Sequence, residues 1–259
     1  MSGDEVQQAG ATSASLVAAM RAITVSRLYG SGGGEIATRL ARRLSWGLID
    51  HEIVAHVAQV LKVAPEDAEL HDERCEGLVS HILGVMQLSA PSLFNPQPTP
   101  GELEQAYYGA LRLVVKRAAN AGHVVIVGRG AQILLEDRRE VLHVRVVAPL
   151  EMRVTYVARR EALDEAQARA RILVKDRDRL RFIQTREHRQ ADDPLLYDLV
   201  INTAVLDLDG AVDLICLALE RKARRLGVAA AELGPGAGIA PYAGHPADLR
   251  PPSSGTGED

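Results

Sequence analysis

Short apolar runs alternate along this chain with longer segments of helical periodicity, and this alternation strongly constrains the fold. The strand-like runs cover residues 23–26, 48–49, 123–127, 141–147 and 199–202. The helical patterns that separate them include residues 35–44, 102–121, 150–160, 164–184 and 207–226. Strands and helices in this order imply a parallel sheet with helices on both faces. The predicted fold is therefore α/β, with a sheet of about five strands flanked by helices.

The two ends of the chain lack such patterns. Residues 1–21 are small and polar, and residues 228–259 are rich in glycine and proline. Neither segment can bury enough apolar surface to order itself, so we expect both to be disordered. The predicted domain covers residues 22–227, and Gly227 is expected to end its last helix. The C-terminal tail could serve to bind a protein partner.

The composition excludes several classes of function. A net charge of -4 and only 3% aromatic residues argue against a nucleic-acid-binding surface. No apolar run reaches the ~18 residues of a membrane helix, and the polar, acidic N-terminus is unlike a signal peptide. We therefore expect a cytoplasmic protein that does not bind membranes. Cys75 and Cys216 have no metal-ligand spacing, so both are predicted to be reduced core thiols.

The first candidate site is a glycine-rich loop between the first strand and the first helix. It comprises Arg27, Gly30, Ser31, Gly32, Gly33, Gly34 and Glu35. Glycines let backbone N–H groups approach an anion, and a helix N-terminus favours negative charge. The loop is therefore predicted to bind phosphate, the alternative being a flexible turn without a ligand. Neither standard nucleotide motif fits, because Gly33 replaces the P-loop lysine and Glu35 replaces the third dinucleotide-binding glycine.

Two more candidate groups follow predicted strands, where ligands of parallel sheets bind. Arg129 follows the apolar run 123–127 and is predicted to contact phosphate or substrate, or else to cap a helix or form an ion pair. Asp50 ends the second strand, where a carboxylate could hold a ribose hydroxyl, Mg²⁺ or an arginine. His51 and His56 follow it. They could form a metal pair, but no third ligand is evident.

The fourth candidate is an arginine-rich helix. The chain has 26 arginines against 4 lysines, and residues 153–189 hold eleven basic side chains against six acidic ones. Arginine binds phosphate through two parallel hydrogen bonds, so Arg177, Arg179 and Arg181 could clamp a polyphosphate. Asp178 lies three residues before Arg181 and could join them. The alternative is a solvated helix with salt bridges.

Together these segments resemble the cytidylate kinase-like family of P-loop proteins, relatives of bacterial CMP kinases. The resemblance rests on residues 23–37, 48–54, 123–131, 176–179 and 193–203. It implies a P-loop NTPase-type three-layer fold with a helical lid. In such kinases the glycine loop holds the phosphates of ATP, the Gly-Arg segment meets a nucleoside monophosphate, and lid arginines neutralise the transferring phosphoryl group.

By position, the resemblance implies an ATP site with Mg²⁺ at the glycine loop. Acceptor binding would fall on Asp50, His51, His56 and Arg129, and catalysis on Arg177, Asp178, Arg179 and Arg181. The implied reaction transfers the γ-phosphoryl group of ATP to CMP, dCMP or a related nucleotide. CMP kinases differ from this chain at Arg27, Gly33, Glu35, His51, His56 and Gly130. We hypothesise that Arg27 supplies the positive charge of the missing loop lysine.

Two other functions remain open at this point. A non-catalytic, nucleotide-binding regulatory protein could have the same fold, since fold does not fix function. A dinucleotide-binding protein is the other, because Asp50 lies twenty residues after Gly30, where a ribose-binding acid is expected. Glu35 and the arginine-rich segment count against the dinucleotide site.

Overall fold

The computed structural model describes residues 16–50, 100–128 and 130–234. His51, His56, Cys75 and Arg129 lie outside these residues. The strands are β1 (Ala22–Arg27), β2 (Gly47–Ile49), β3 (Val124–Val127), β4 (Val141–Val147) and β5 (Leu199–Asn202). The helices are α1 (Gly33–Leu44), α2 (Pro100–Ala121), α3 (Ala131–Leu134), α4 (Leu150–Glu161), α5 (Glu165–Glu187) and α6 (Leu208–Ala223). Short 3-10 helices span Pro194–Leu196 and Ala230–Glu232.

The five strands form one parallel sheet in the order β2-β3-β1-β4-β5. In the centre of the sheet, Val25 of β1 pairs with Val127 of β3 and with Val144 of β4. The predicted α/β fold with about five parallel strands is confirmed. Because the strands are parallel, the glycine loop after β1, Asp50 after β2 and Gly128 after β3 all lie at the carboxyl end of the sheet.

The two faces of the sheet carry different cores. Ile23 and Val25 of β1 pack with α1 and α6, whereas Ala22 packs with α2. Side chains alternate between the faces of a strand, so Ser26 lies on the α2 face together with Ala22. On β4, Val144 joins the α1 core and Val141 the α2 core. The polar residues His143 and Arg145 therefore also lie on the α2 face.

The buried core begins upstream of residue 22. Met20 is fully buried, and its N–H donates to the carbonyl of Val17. Residues 16–21 belong to the N-terminal segment that the sequence predicts to be disordered. Of that segment, the structure describes only these six residues.

The last helix ends earlier than the glycine pattern predicts. α6 stops at Ala223, and the next turns are closed by bonds from Arg225 to Lys222 and from Leu226 to Ala223. Bonds over three residues tighten the chain into 3-10 geometry, so the helix is already broken before Gly227.

The sheet and its helices belong to a compact unit that extends to Leu226, and residues from Gly227 form a second unit. Within the second unit, the structure describes only the segment up to Gly234, with the turn Ala230–Glu232. In the first unit, Cys216 is a free thiol that packs half-buried against the core. No helix in the described ranges combines the length and apolar character needed to span a membrane.

Candidate functional site

The glycine loop connects β1 to α1 in a conformation that requires glycine at two positions. Gly30 and Gly32 have φ values of +79° and +80°, in the left-handed region that other residues rarely adopt. A β carbon on Gly30 would lie 2.7 Å from Val157, and one on Gly32 would lie 2.7 Å from Leu208. Steric space and backbone conformation therefore both favour glycine here.

Hydrogen bonds to β4 and from the segment after β5 fix the loop. The buried hydroxyl of Ser31 donates to the carbonyls of Leu28 and Val146, at 2.9 and 3.1 Å. The hydroxyl of Thr203 donates to the carbonyl of Ser31 at 2.9 Å. Ser31 thus positions the loop from beneath and does not line the cavity described below.

The N-terminus of α1 provides free backbone donors at the end of this loop. The first bond within the helix runs from the N–H of Ile36 to the carbonyl of Gly32 at 3.0 Å. The N–H groups of Gly33, Gly34 and Glu35 precede it and have no partner inside the helix. A β carbon on Gly34 would meet nothing within 4 Å, so the surroundings of this turn are open. Such a helix N-terminus suits an anion.

A cavity of about 690 Å³ opens beside the loop, within the size range of small-molecule sites. Nine of the residues expected in the site line it, namely Arg27, Gly30, Gly32, Gly33, Gly34, Glu35, Asp50, Asp178 and Arg179. Arg177 and Arg181 do not line it and are exposed. His51, His56 and Arg129 stay predictions, because they lie outside the described residues.

The helical geometry of α5 places Arg179 on a different face from Arg177 and Arg181. Residues two positions apart on a helix point about 200° apart, so Arg179 cannot share a face with Arg177 or Arg181. Arg179 donates to the carbonyl of Arg27 at 3.3 Å, and its guanidinium lies 5.3 Å from the ring centroid of Tyr29. Only Arg179 among the three therefore reaches the glycine loop.

A buried ion pair that the sequence reasoning missed joins the loop to the α4–α5 hairpin. The Asp176 carboxylate accepts the N–H of Tyr29 at 2.7 Å and a guanidinium N–H of Arg153 at 2.6 Å. Arg153 also donates to the carbonyl of Tyr29 at 3.0 Å. The two charged side chains are only 9% and 15% exposed. No local sequence pattern indicates this contact, because Arg153 and Asp176 are 23 residues apart and belong to different helices.

The tyrosine of the loop makes a further contact with the same hairpin. Its hydroxyl donates to the carboxylate of Glu161 at 2.5 Å, and Glu161 also pairs with Arg171. Burial alone would raise the pKa of the Glu161 carboxyl, but the hydrogen bonds from Tyr29 and Arg171 outweigh it and lower this pKa. Burial and the Glu161 contact raise the pKa of the Tyr29 phenol, which therefore remains a donor at neutral pH.

Glu35 and Arg27 are the two charged residues that distinguish this loop from that of CMP kinases, and the structure shows what each of them contacts. Glu35 forms an ion pair with Arg160 of α4, which offsets its negative charge near the helix N-terminus. The Arg27 side chain packs across the loop and the end of β3, since β carbons on Gly33 and Gly128 would collide with it. Arg27 thus places its charge beside Gly128, on the cavity wall.

The sequence matches the model of one protein family over most of its length. The model of the cytidylate kinase-like family covers residues 22–205, more than half of the chain. The chain belongs to this family. The cytidylate kinase of Methanocaldococcus jannaschii is 29% identical over 104 residues, which are 39% of this chain and 58% of that relative. The alignment thus spans little more than half of the curated relative.

Solved structures also resemble this fold. An uncharacterised protein from Eubacterium ventriosum superposes with a TM-score of 0.55 at 20% identity, covering 77% of this chain and 98% of its own. The shikimate kinase of Acinetobacter baumannii, at 15% identity, gives a TM-score of 0.45 over 81% of this chain and 98% of its own. The fold is the three-layer P-loop type, and it is a kinase-like nucleotide-binding fold.

Proposed function

We propose that this protein is a nucleoside monophosphate kinase-like enzyme that uses ATP and acts in the cytoplasm. It would transfer the γ-phosphoryl group of ATP to CMP, dCMP or a related nucleotide. The observation that supports this most is the glycine loop, which leads into the N-terminus of α1. The free N–H groups there belong to residues that line a 690 Å³ cavity. The family membership and the 29% identity to a cytidylate kinase support the same reaction class.

The residues that line the cavity can be assigned to the roles that phosphoryl transfer requires. Gly32, Gly33 and Gly34 would hold the phosphates of ATP through backbone N–H groups. Arg179 of the hairpin, fixed above Tyr29, would stabilise the charge on the transferring group. Asp50 and Arg129 would orient the acceptor. We do not assign this role to Arg177 or Arg181, because both are exposed and neither lines the cavity.

Glu35, Asp50 and Asp178 line the same cavity, but within the described residues no three acidic, histidine or cysteine side chains are grouped closely enough to hold a metal ion by themselves. One or two of these carboxylates would hold Mg²⁺ only together with the phosphates of ATP. Mg²⁺ bound with ATP would neutralise part of the phosphate charge. During transfer, an oxygen of the acceptor phosphate forms a bond to the γ-phosphorus. The bond between this phosphorus and the bridging oxygen of ADP breaks, and ADP leaves with the electron pair. No residue of the protein needs to form a covalent intermediate.

Coupled ADP release tests this proposal. The assay uses ATP with Mg²⁺ and a panel of nucleoside monophosphates, and compares the wild type with Arg179→Ala. Arg177→Ala, on the opposite side of the same helix, is the matched control. We expect acceptor-dependent turnover that falls at least about a hundredfold in Arg179→Ala, because charge-stabilising arginines contribute this much or more to phosphoryl transfer. Arg177→Ala should stay within about twofold of the wild type. Equal losses in both variants would contradict the assignment.

A non-catalytic regulatory protein is the second candidate. The observation in its favour is the Glu35–Arg160 ion pair, which places a neutralised carboxylate at the turn where CMP kinases carry a hydroxyl. Saturable ATP binding without ADP formation from any acceptor would favour this candidate. Binding of NAD but not of ATP would contradict both.

A further inference from the structure

Arg145 of β4 is a buried cation on the wall of the cavity. The residue is only 8% exposed, and its backbone pairs across the sheet with Ser26 of β1. One guanidinium nitrogen, Nη1, donates to the hydroxyls of Ser26 and Tyr197, at 3.3 and 3.1 Å, and to the carbonyl of Ala191. Within the described residues, Nε and Nη2 make no hydrogen bond.

Within the described ranges, every hydrogen-bond partner of Arg145 is an uncharged group. Other arginines near the cavity have carboxylates, since Arg153 pairs with Asp176 and Arg160 pairs with Glu35. Among the described residues no carboxylate lies within salt-bridge distance of Arg145. A buried charge without a counterion is destabilising, and a planar guanidinium with unused donors is suited to a phosphate or carboxylate.

The position of Arg145 assigns this anion to the acceptor. Ser26 and Arg145 lie on the α2 face of the sheet, whereas α1 and its N-terminus lie on the other face. Gln132 of α3, almost fully buried, also lines the cavity, and its side-chain amide donates at 3.4 Å to the same Tyr197 hydroxyl that Arg145 contacts. The phosphates of ATP are expected at α1, so a second anion is needed to explain Arg145.

We propose that Arg145 binds the phosphate of the acceptor nucleotide, an assignment that rests on the proposed function. The Ser26 and Tyr197 hydroxyls hold Nη1 of the guanidinium, and the Nε and Nη2 donors would bind the phosphate oxygens of the acceptor. Arg145 would then bind the acceptor phosphate in addition to the predicted Arg129, and it lies within a strand where no sequence motif indicates it.

Titration calorimetry with CMP and with ATP separates this role from a purely structural one. In Arg145→Met we expect the Kd of CMP to rise about ten- to a hundredfold, the effect of losing a hydrogen bond to a charged group. The Kd of ATP should stay within about threefold. Arg177→Ala, the surface control, should bind both ligands like the wild type. Unchanged CMP binding in Arg145→Met, or equal losses for CMP and ATP, would overturn the proposal.

Two further measurements keep the test decisive. If Arg145→Met does not fold, Arg145→Lys keeps the charge but not the planar fork, and we expect CMP binding at least fivefold weaker with ATP binding unchanged. If the wild type binds neither nucleotide, the proposed function fails. The anion site is then tested with inorganic phosphate alone, of which the wild type should bind one more equivalent than Arg145→Met. Equal stoichiometry would overturn the site as well.

Discussion

The buried pair of Asp176 and Arg153 should contribute strongly to stability, because it ties the glycine loop to the α4–α5 hairpin. Asp176→Asn keeps the shape of the side chain but removes the charge that faces Arg153 at 2.6 Å. Removing one partner of a buried pair costs about 3–5 kcal/mol, since the other charge stays buried without compensation. Asp176 keeps 15% of its side-chain surface exposed, so we expect about 3 kcal/mol.

Urea denaturation measures this loss. With a slope of about 2–3 kcal/mol per molar urea, the midpoint should fall by roughly 1–1.5 M in Asp176→Asn. Asp178→Asn, on an exposed position of the same helix, should change stability by less than about 0.5 kcal/mol. In a double-mutant cycle with Arg153→Met, we expect a coupling energy above about 1.5 kcal/mol. A loss under about 0.5 kcal/mol in Asp176→Asn, or additive single losses, would refute this reasoning.

Three more predictions concern stability. Burial lowers the pKa of His143 to about 4 from 6.5, so the unfolded chain takes up a proton that the folded protein excludes. Unfolding free energy should therefore fall by up to about 3 kcal/mol between pH 6.5 and 4, and urea midpoints of His143→Gln should lack much of this fall. Gly32→Ala should lose about 1–2 kcal/mol from its positive φ, whereas Gly34→Ala, with open space around it, should lose nothing measurable in the same urea assay. Met20→Ala should lower the free energy of unfolding by about 3 kcal/mol, and an unchanged value would contradict the packing of residues upstream of the sheet.

The strands were predictable because each is a short apolar run between polar or glycine-rich segments. The bounds of β4 and β5 agree with the sequence pattern at both ends. α3 was missed because Ala131–Leu134 is a single turn, too short for a helical period to show. The end of α6 was predicted too late in the chain, because its last turns tighten before Gly227. The position of the glycine does not indicate this change in hydrogen-bond geometry.

The glycine loop of the candidate site follows from local sequence, whereas its supporting contacts do not. A run of glycines between a strand and a helix indicates both the turn and the helix N-terminus. Arg153 and Asp176 are 23 residues apart and meet only through the packing of α4 on α5. Arg145 sits in an apolar strand, where alternation alone cannot tell a surface arginine from one that lines a cavity. The divergence of Arg177 and Arg179 could have been read from helical spacing alone.

Phosphoryl transfer from ATP to a nucleoside monophosphate is tested most directly by ³¹P NMR of the protein with ATP, Mg²⁺ and CMP or dCMP. We expect ADP and the nucleoside diphosphate of the acceptor to appear in equal amounts while inorganic phosphate stays near background. ATP that is converted to ADP and inorganic phosphate at the same rate with or without an acceptor would contradict transfer. Unchanged spectra across the acceptor panel, in protein that binds ATP, would contradict the kinase assignment and favour a regulatory role.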